Sequence, residues 1–169
     1  SQRGDGIKPR SNVTIENCYF ERLGSAEGAH ADGIQIMEGA SNIRIVNNTF
    51  RMPPFEDGYA NSQCILIHPQ TKDIIIDSNW ITGGGNSVNI SPDAENVSLT
   101  NNLFGFDFVY RPITAENARV SCNRWETSGT FNKKEYSAGD YLLGQQGSSR
   151  CMDNLKTSPV TPTTLSTSN

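Results

Sequence analysis

A nine-residue pattern returns five times along this chain. It opens on Asn or Asp, alternates apolar residues behind it, and carries Asn or Cys at the seventh place and an aromatic residue or Ile at the ninth. The copies begin at Asn12, Asn42, Asp73, Asn96 and Asn117, which are 30, 31, 23 and 21 residues apart. A unit this short cannot bury its own apolar side and must stack on copies of itself. The repeat therefore restricts the fold to a stacked, quasi-one-dimensional array before any single residue is weighed.

Eight positions before three of the copies lies a second alternating segment: Ile34-Gln35-Ile36, Ile65-Leu66-Ile67 and Val88-Asn89-Ile90. Phe108-Val109-Tyr110 reads as the same element with one extra residue in its turn, and Ile7-Lys8 as an abbreviated first version. Alternation sends the outer two residues to one face and the middle one to the other. Strand-breaking stretches follow, Glu38-Gly39-Ala40-Ser41 and those opening at Pro69, Pro92 and Pro112. Each unit thus reads strand, turn, strand, tight bend, short strand, loop.

Parallel strands stacked at roughly 4.8 Å turn this pattern into an all-β, single-stranded, right-handed parallel β-helix of about five coils. Asn48, Asn79, Asn102 and Asn123 are expected to form an interior amide ladder at the bend, where Asn also tolerates left-handed backbone. Cys18 takes that place in the first coil. A β-sandwich with similar strand spacing is the rival. It does not account for Asn at one offset beside an apolar column of Phe20, Phe50, Ile81, Phe104 and Trp125.

The period stops after Trp125. Residues 1–125 are expected to form the β-helix, 126–156 an irregular C-terminal cap, and 157–169 a Ser/Thr/Pro-rich tail or linker. The chain opens in the phase of a first strand without a preceding cap, which suggests a piece of a longer β-helix or an end covered by another chain. A net charge of −4 and a pI near 5.1 argue against a nucleic-acid partner. No apolar run is long enough for membrane insertion, and no signal peptide is evident. Cys18 and Cys64 lie in repeat positions and read as buried thiols, while Cys122 and Cys151 are either free or a bridge tying down the cap. Asn-X-Ser/Thr sequons at Asn12, Asn47, Asn89 and Asn96 arise readily in an Asn-rich repeat.

Inward residues are committed to the core, so chemistry falls to outward residues and loops. The outward column of the leading strands reads Lys8, Gln35, Leu66, Asn89, Val109. Loops 21–30 and 51–62 are long and 82–85 and 105–106 short, which places a cleft at the N-terminal coils. There the tetrapeptides Asp5-Gly-Ile-Lys8 and Asp32-Gly-Ile-Gln35 fall in one phase of consecutive coils. Their carboxylates are expected on neighbouring strands about 5 Å apart, which raises one pKa or demands a cation. Three readings stand together: a Ca²⁺ site with Asp5 and Asp32 as ligands, a glycosidic acid/base pair of retaining spacing, or two Asp residues shaping turns. His30 or Lys8 would be the base, and Gln35, Asn89 and Arg10 would contact sugar. Phe55 and Tyr59 offer stacking faces. His68 reads as a turn residue.

The Asn-φ-x-φ-x-Asn-Asn-x-Phe repeat, clearest at Asn42–Phe50 and Asn96–Phe104, resembles that of the pectate-lyase-like superfamily of right-handed β-helices over about residues 4–125. That superfamily includes polysaccharide lyases, phage tailspikes and uronan epimerases. Asp32-Gly-Ile-Gln-Ile36 looks like the strand segment that carries calcium-binding Asp residues in pectate lyases, which implies a metal role for Asp32 with Asp5 beside it. The pectate lyase Arg-Pro-x-Arg segment has no counterpart, because Tyr110-Arg111-Pro112-Ile113 lacks the second Arg. The resemblance implies an extracellular protein, secreted or on a virion surface, that binds a long polysaccharide and cleaves it by lyase or glycosidase chemistry. The alternative it implies is a non-catalytic tail-fibre, tailspike or adhesin rod, as a homotrimer or part of a larger parent chain.

Overall fold

The computed structural model describes residues 4–25, 28–54, 58–126, 128–131 and 134–137. In chain order the strands are β1 (Val13–Glu16), β2 (Tyr19–Phe20), β3 (Ala31–Ile36), β4 (Ser41–Val46), β5 (Thr49–Met52), β6 (Asn61–Ile67), β7 (Lys72–Asp77) and β8 (Trp80–Gly83). There follow β9 (Asn86–Ile90), β10 (Glu95–Thr100), β11 (Leu103–Phe104), β12 (Arg111–Ala115), β13 (Arg119–Ser121), β14 (Arg124–Trp125), β15 (Ser128–Phe131) and β16 (Lys134–Ser137).

Every third strand pairs in parallel, which builds three sheets. The leading sheet runs β3-β6-β9-β12, the middle sheet β1-β4-β7-β10-β13, and the closing sheet β2-β5-β8-β11-β14. An all-β chain of stacked parallel sheets is compatible with a parallel β-helix. Among the described residues no helix is long and apolar enough to cross a membrane. β15 and β16 depart from the period as an antiparallel hairpin; the rest of the expected cap and the tail lie outside the described residues.

The alternating apolar positions fill the space between the sheets. Ile34, Ile65 and Val88 stand in register in the leading sheet, and Ile43, Ile74 and Val97 in the middle sheet. Phe50, Ile81 and Phe104 do so in the closing sheet, with Phe20 stacked on Phe50 at 4.5 Å. All of these are buried. Each such side chain contributes about 1.5–3 kcal/mol by leaving water.

At the bend, the buried amides of three Asn residues reach along the stack. Nδ2 of Asn48 donates to Oδ1 of Asn79 (3.0 Å), Asn79 to Asn102 (2.9 Å), and Asn102 to Asn123 (2.9 Å). Each Oδ1 also accepts the backbone N–H of the residue one coil earlier, and each Nδ2 donates to a carbonyl such as Ile45 O. The left-handed backbone, however, does not fall on these residues. It falls one place earlier, on Asn17, Asn47, Ser78, Asn101 and Cys122. The doublet divides the work: its first residue turns the chain, and its second fills the interior.

The last leading strand also corrects the expectation. Phe108-Val109-Tyr110 is not that strand; β12 is Arg111–Ala115, with Ile113 opposite Val88 and Thr114 opposite Asn89. Thr114 therefore replaces Val109 in the outward column, and the loop before β12 spans 105–110. Pro112 had read as a turn signal, but β12 is an edge strand, where the missing N–H costs no ladder bond. Phe108 instead buries its ring beneath that loop.

Candidate functional site

The outward face of the leading sheet gathers several of the candidate residues, and a bend in each strand shapes it. Asp32, Gln63, Asn86 and Arg111 are successive register partners, and so are Gln35, Leu66, Asn89 and Thr114. Between the two columns the strand turns two consecutive residues inward, such as Gly33-Ile34 and Cys64-Ile65, all buried. A Cβ at Gly33 would lie 2.5 Å from the Cys64 carbonyl oxygen and 2.9 Å from Met52 Sδ. At Gly6 it would lie 2.6 Å from the Gly33 oxygen. Neither glycine has a positive φ, so the Asp-Gly pair is no turn signal. Glycine is required there because a neighbouring backbone leaves no room.

Asp5 and Asp32 come together as their shared phase requires. Ile7 bridges Ile34 in parallel, and Gly6 N donates to Asp32 O at 2.8 Å. Asp5 Oδ1 accepts the Asp32 backbone N–H at 2.8 Å, and Lys8 Nζ lies 2.7 Å from Asp5 Oδ2. Both Asp5 oxygens are thus engaged. Asp32 is 4% exposed, and its pKa is pushed up to about 6. Burial is the main cause and the Asp5 charge the second; hydrogen bonds from the Gln63 backbone and Ser62, with the Lys8 charge, oppose them.

Asp32 Oδ1, Gln35 Oε1 and Gln63 Oε1 are buried and accept no hydrogen bond. Three oxygens without donors suit a proton on Asp32 or a hard cation. At Asp5 the Lys8 ammonium is paired with Oδ2. Among the described residues no three His, Cys, Asp or Glu side chains form a metal-sized group.

The remaining candidates are dispersed. Gln35 lies three residues after Asp32 and meets His68, their Nε2 atoms 3.0 Å apart. Asn89 is half-buried two strands away on the same face. His30 and Arg10 are exposed and make no side-chain hydrogen bond or ion pair with the described residues. Tyr59 is half-buried in the loop before β6, and Phe55 lies outside the described residues. Gln63 escaped sequence reasoning, and His68, read from the sequence as a turn residue, meets Gln35. Gln63 is displaced by an extra residue between Ala31 and Asp32's partners, a register shift the period conceals. His68 was masked by the Pro that follows it.

Cysteine chemistry stays out of this face. Cys18 and Cys64 are free, and burial raises the Cys64 thiol pKa well above its ordinary value, with the charges of Asp107 and Asp32 adding to it. Cys122 is disulfide-bonded. No protein-family model, curated protein or solved structure matches this chain, so the reading of the site rests on its geometry.

Proposed function

We propose that this chain is an extracellular, right-handed parallel β-helix of about five coils, stapled by its Asn ladder, that binds a polysaccharide along the outward face of the leading sheet and cleaves it at the N-terminal coils. The observation that carries the reading is the Asp5–Asp32 pair: Asp5 accepts the Asp32 backbone N–H and pairs with Lys8, while burial and the Asp5 charge push the Asp32 pKa up to about 6. A carboxyl that keeps its proton above the usual carboxylate range can serve as a general acid. Asp32 would give its proton to the glycosidic oxygen as the C–O bond breaks, and water would add its oxygen to the anomeric carbon while the proton it loses returns to the Asp32 carboxylate. The amides of Gln35, Gln63, Asn86 and Asn89 suit sugar hydroxyls. The disulfide at Cys122 favours an oxidising, extracellular setting. Calcium enters no step; the oxygens of Asp32, Gln35 and Gln63 are the set that would hold it.

A second reading, a non-catalytic tailspike or adhesin rod, is favoured by one observation. Asp5 spends both oxygens on internal contacts, and both carboxyls are nearly buried. The experiment is a polysaccharide screen with and without Ca²⁺, reading new reducing ends for hydrolysis and absorbance near 235 nm for lyase products. Product that disappears in Asp32→Asn with the fold intact supports cleavage. Binding without product in the wild-type chain supports the rod.

A further inference from the structure

The parallel stack is open at its last turn on all three sheets. Ile113, Ala115, Val120 and Trp125 stand in register with Val88, Ile90, Leu99 and Phe104. The four earlier residues are buried, whereas their successors are only half-buried and pack against the core from outside. β12, β13 and β14 are edge strands. An open edge beside apolar side chains invites a further strand, from the same chain or from another. The hairpin β15–β16 does not continue the stack, because its strands pair antiparallel with each other. Cys122 stands at the rim of this end. It holds the left-handed place that Asn47, Ser78 and Asn101 hold in the coils before it, with a φ of 58°. The next residue, Asn123, is the last rung of the amide ladder. Cys122 is disulfide-bonded. Cys18 and Cys64 are free, and the chain has four cysteines, so Cys151 is the partner left within it.

We infer that a Cys122–Cys151 bridge clips residues 126–150 over the open end of the last coil and so blocks end-to-end stacking on a second copy of the chain. Connectivity sets the occupant. A disulfide holds its two Cα atoms about 5.5–6 Å apart, so the chain that leaves β14 at Trp125 must return to the bend before β14 by residue 151. The sequence that makes this excursion carries Phe131, Tyr136, Tyr141, Leu142 and Leu143. That is apolar surface enough to cover Ile113, Val120 and Trp125, and each gains by leaving water. The clip does not depend on what the leading sheet binds.

Peptide mapping of the unreduced chain, alkylated in denaturant, tests the connectivity. The expected result is a linked Cys122–Cys151 peptide with only Cys18 and Cys64 alkylated. An alkylated Cys122, or Cys122 linked to any other cysteine, overturns the inference. Hydrogen exchange on the full chain then compares wild type with Cys151→Ser. Protected amides of residues 111–125 should exchange roughly tenfold faster in the variant, and those of residues 61–90 at an unchanged rate. Light scattering should show larger species whose share rises with protein concentration. Dithiothreitol added to the folded wild-type chain gives the same comparison without a substitution. It supplies two electrons and two protons to the bridge, which opens to two thiols, and closes to its own cyclic disulfide. Unchanged exchange at residues 111–125 after the bridge is opened, or equal acceleration over both regions, overturns the cap. Faster exchange confined to residues 111–125 without larger species overturns the block on stacking.

Discussion

Replacing Asp32 by Asn should stabilise the protein at neutral pH, although it removes the proposed catalytic acid. In the native state the Asp32 carboxyl keeps its proton up to about pH 6, against an ordinary value of 3.8. The unfolded chain releases that proton near pH 4. Between those values the native state binds more protons than the unfolded state, so stability falls as pH rises from about 4 to about 6. At about 1.36 kcal/mol per pH unit, the full interval amounts to about 3 kcal/mol by pH 7. Asn mimics the protonated form and keeps an acceptor for the Gln63 and Ser62 donors. Urea unfolding of both proteins from pH 4 to pH 8 should give near-equal stabilities at pH 4 and an advantage for Asp32→Asn growing to about 3 kcal/mol above pH 6. A constant difference across that range, or a less stable variant at pH 8, would refute the claim that Asp32 is held in an unfavourable charged state.

Three further outcomes follow from the contacts. Lys8→Met removes the cation that opposes the rise at Asp32, so the midpoint of the Asp32 pH transition should move above about 6, read by the same titrated unfolding. Asn79→Ala deprives Asn48 N of its acceptor and Ile45 O of a donor, while Asn48 Nδ2 keeps Ile15 O and Val46 O; at 1–3 kcal/mol per buried orphan it should cost about 2–6 kcal/mol in chemical unfolding. Gly83→Ala puts a methyl group 2.1 Å from the Met52 carbonyl oxygen at a φ of +99°, and its melting temperature should drop by more than that of Gly39→Ala, where nothing lies within 4 Å.

The amino-acid order alone determined the stacked parallel architecture, because a short unit with a fixed apolar phase has one way to bury that phase. It also placed Asp5 beside Asp32, since two copies of one tetrapeptide in one phase must meet across a strand. It misassigned Phe108–Tyr110, because an aromatic at strand spacing looks the same whether it lies in a strand or plugs a loop. It also gave the left-handed backbone to the wrong residue of the Asn doublet, since both members are asparagine in the clearest copies. Only the tertiary structure decided that Asp32 keeps its proton above the usual carboxylate range. Asp5 and Asp32 are the same residue in the same motif, yet one meets Lys8 and the other is buried against Gln63. Sequence periodicity carries direction and phase; charge state depends on water excluded and on partners brought in from other coils, and those exist only once the chain has stacked.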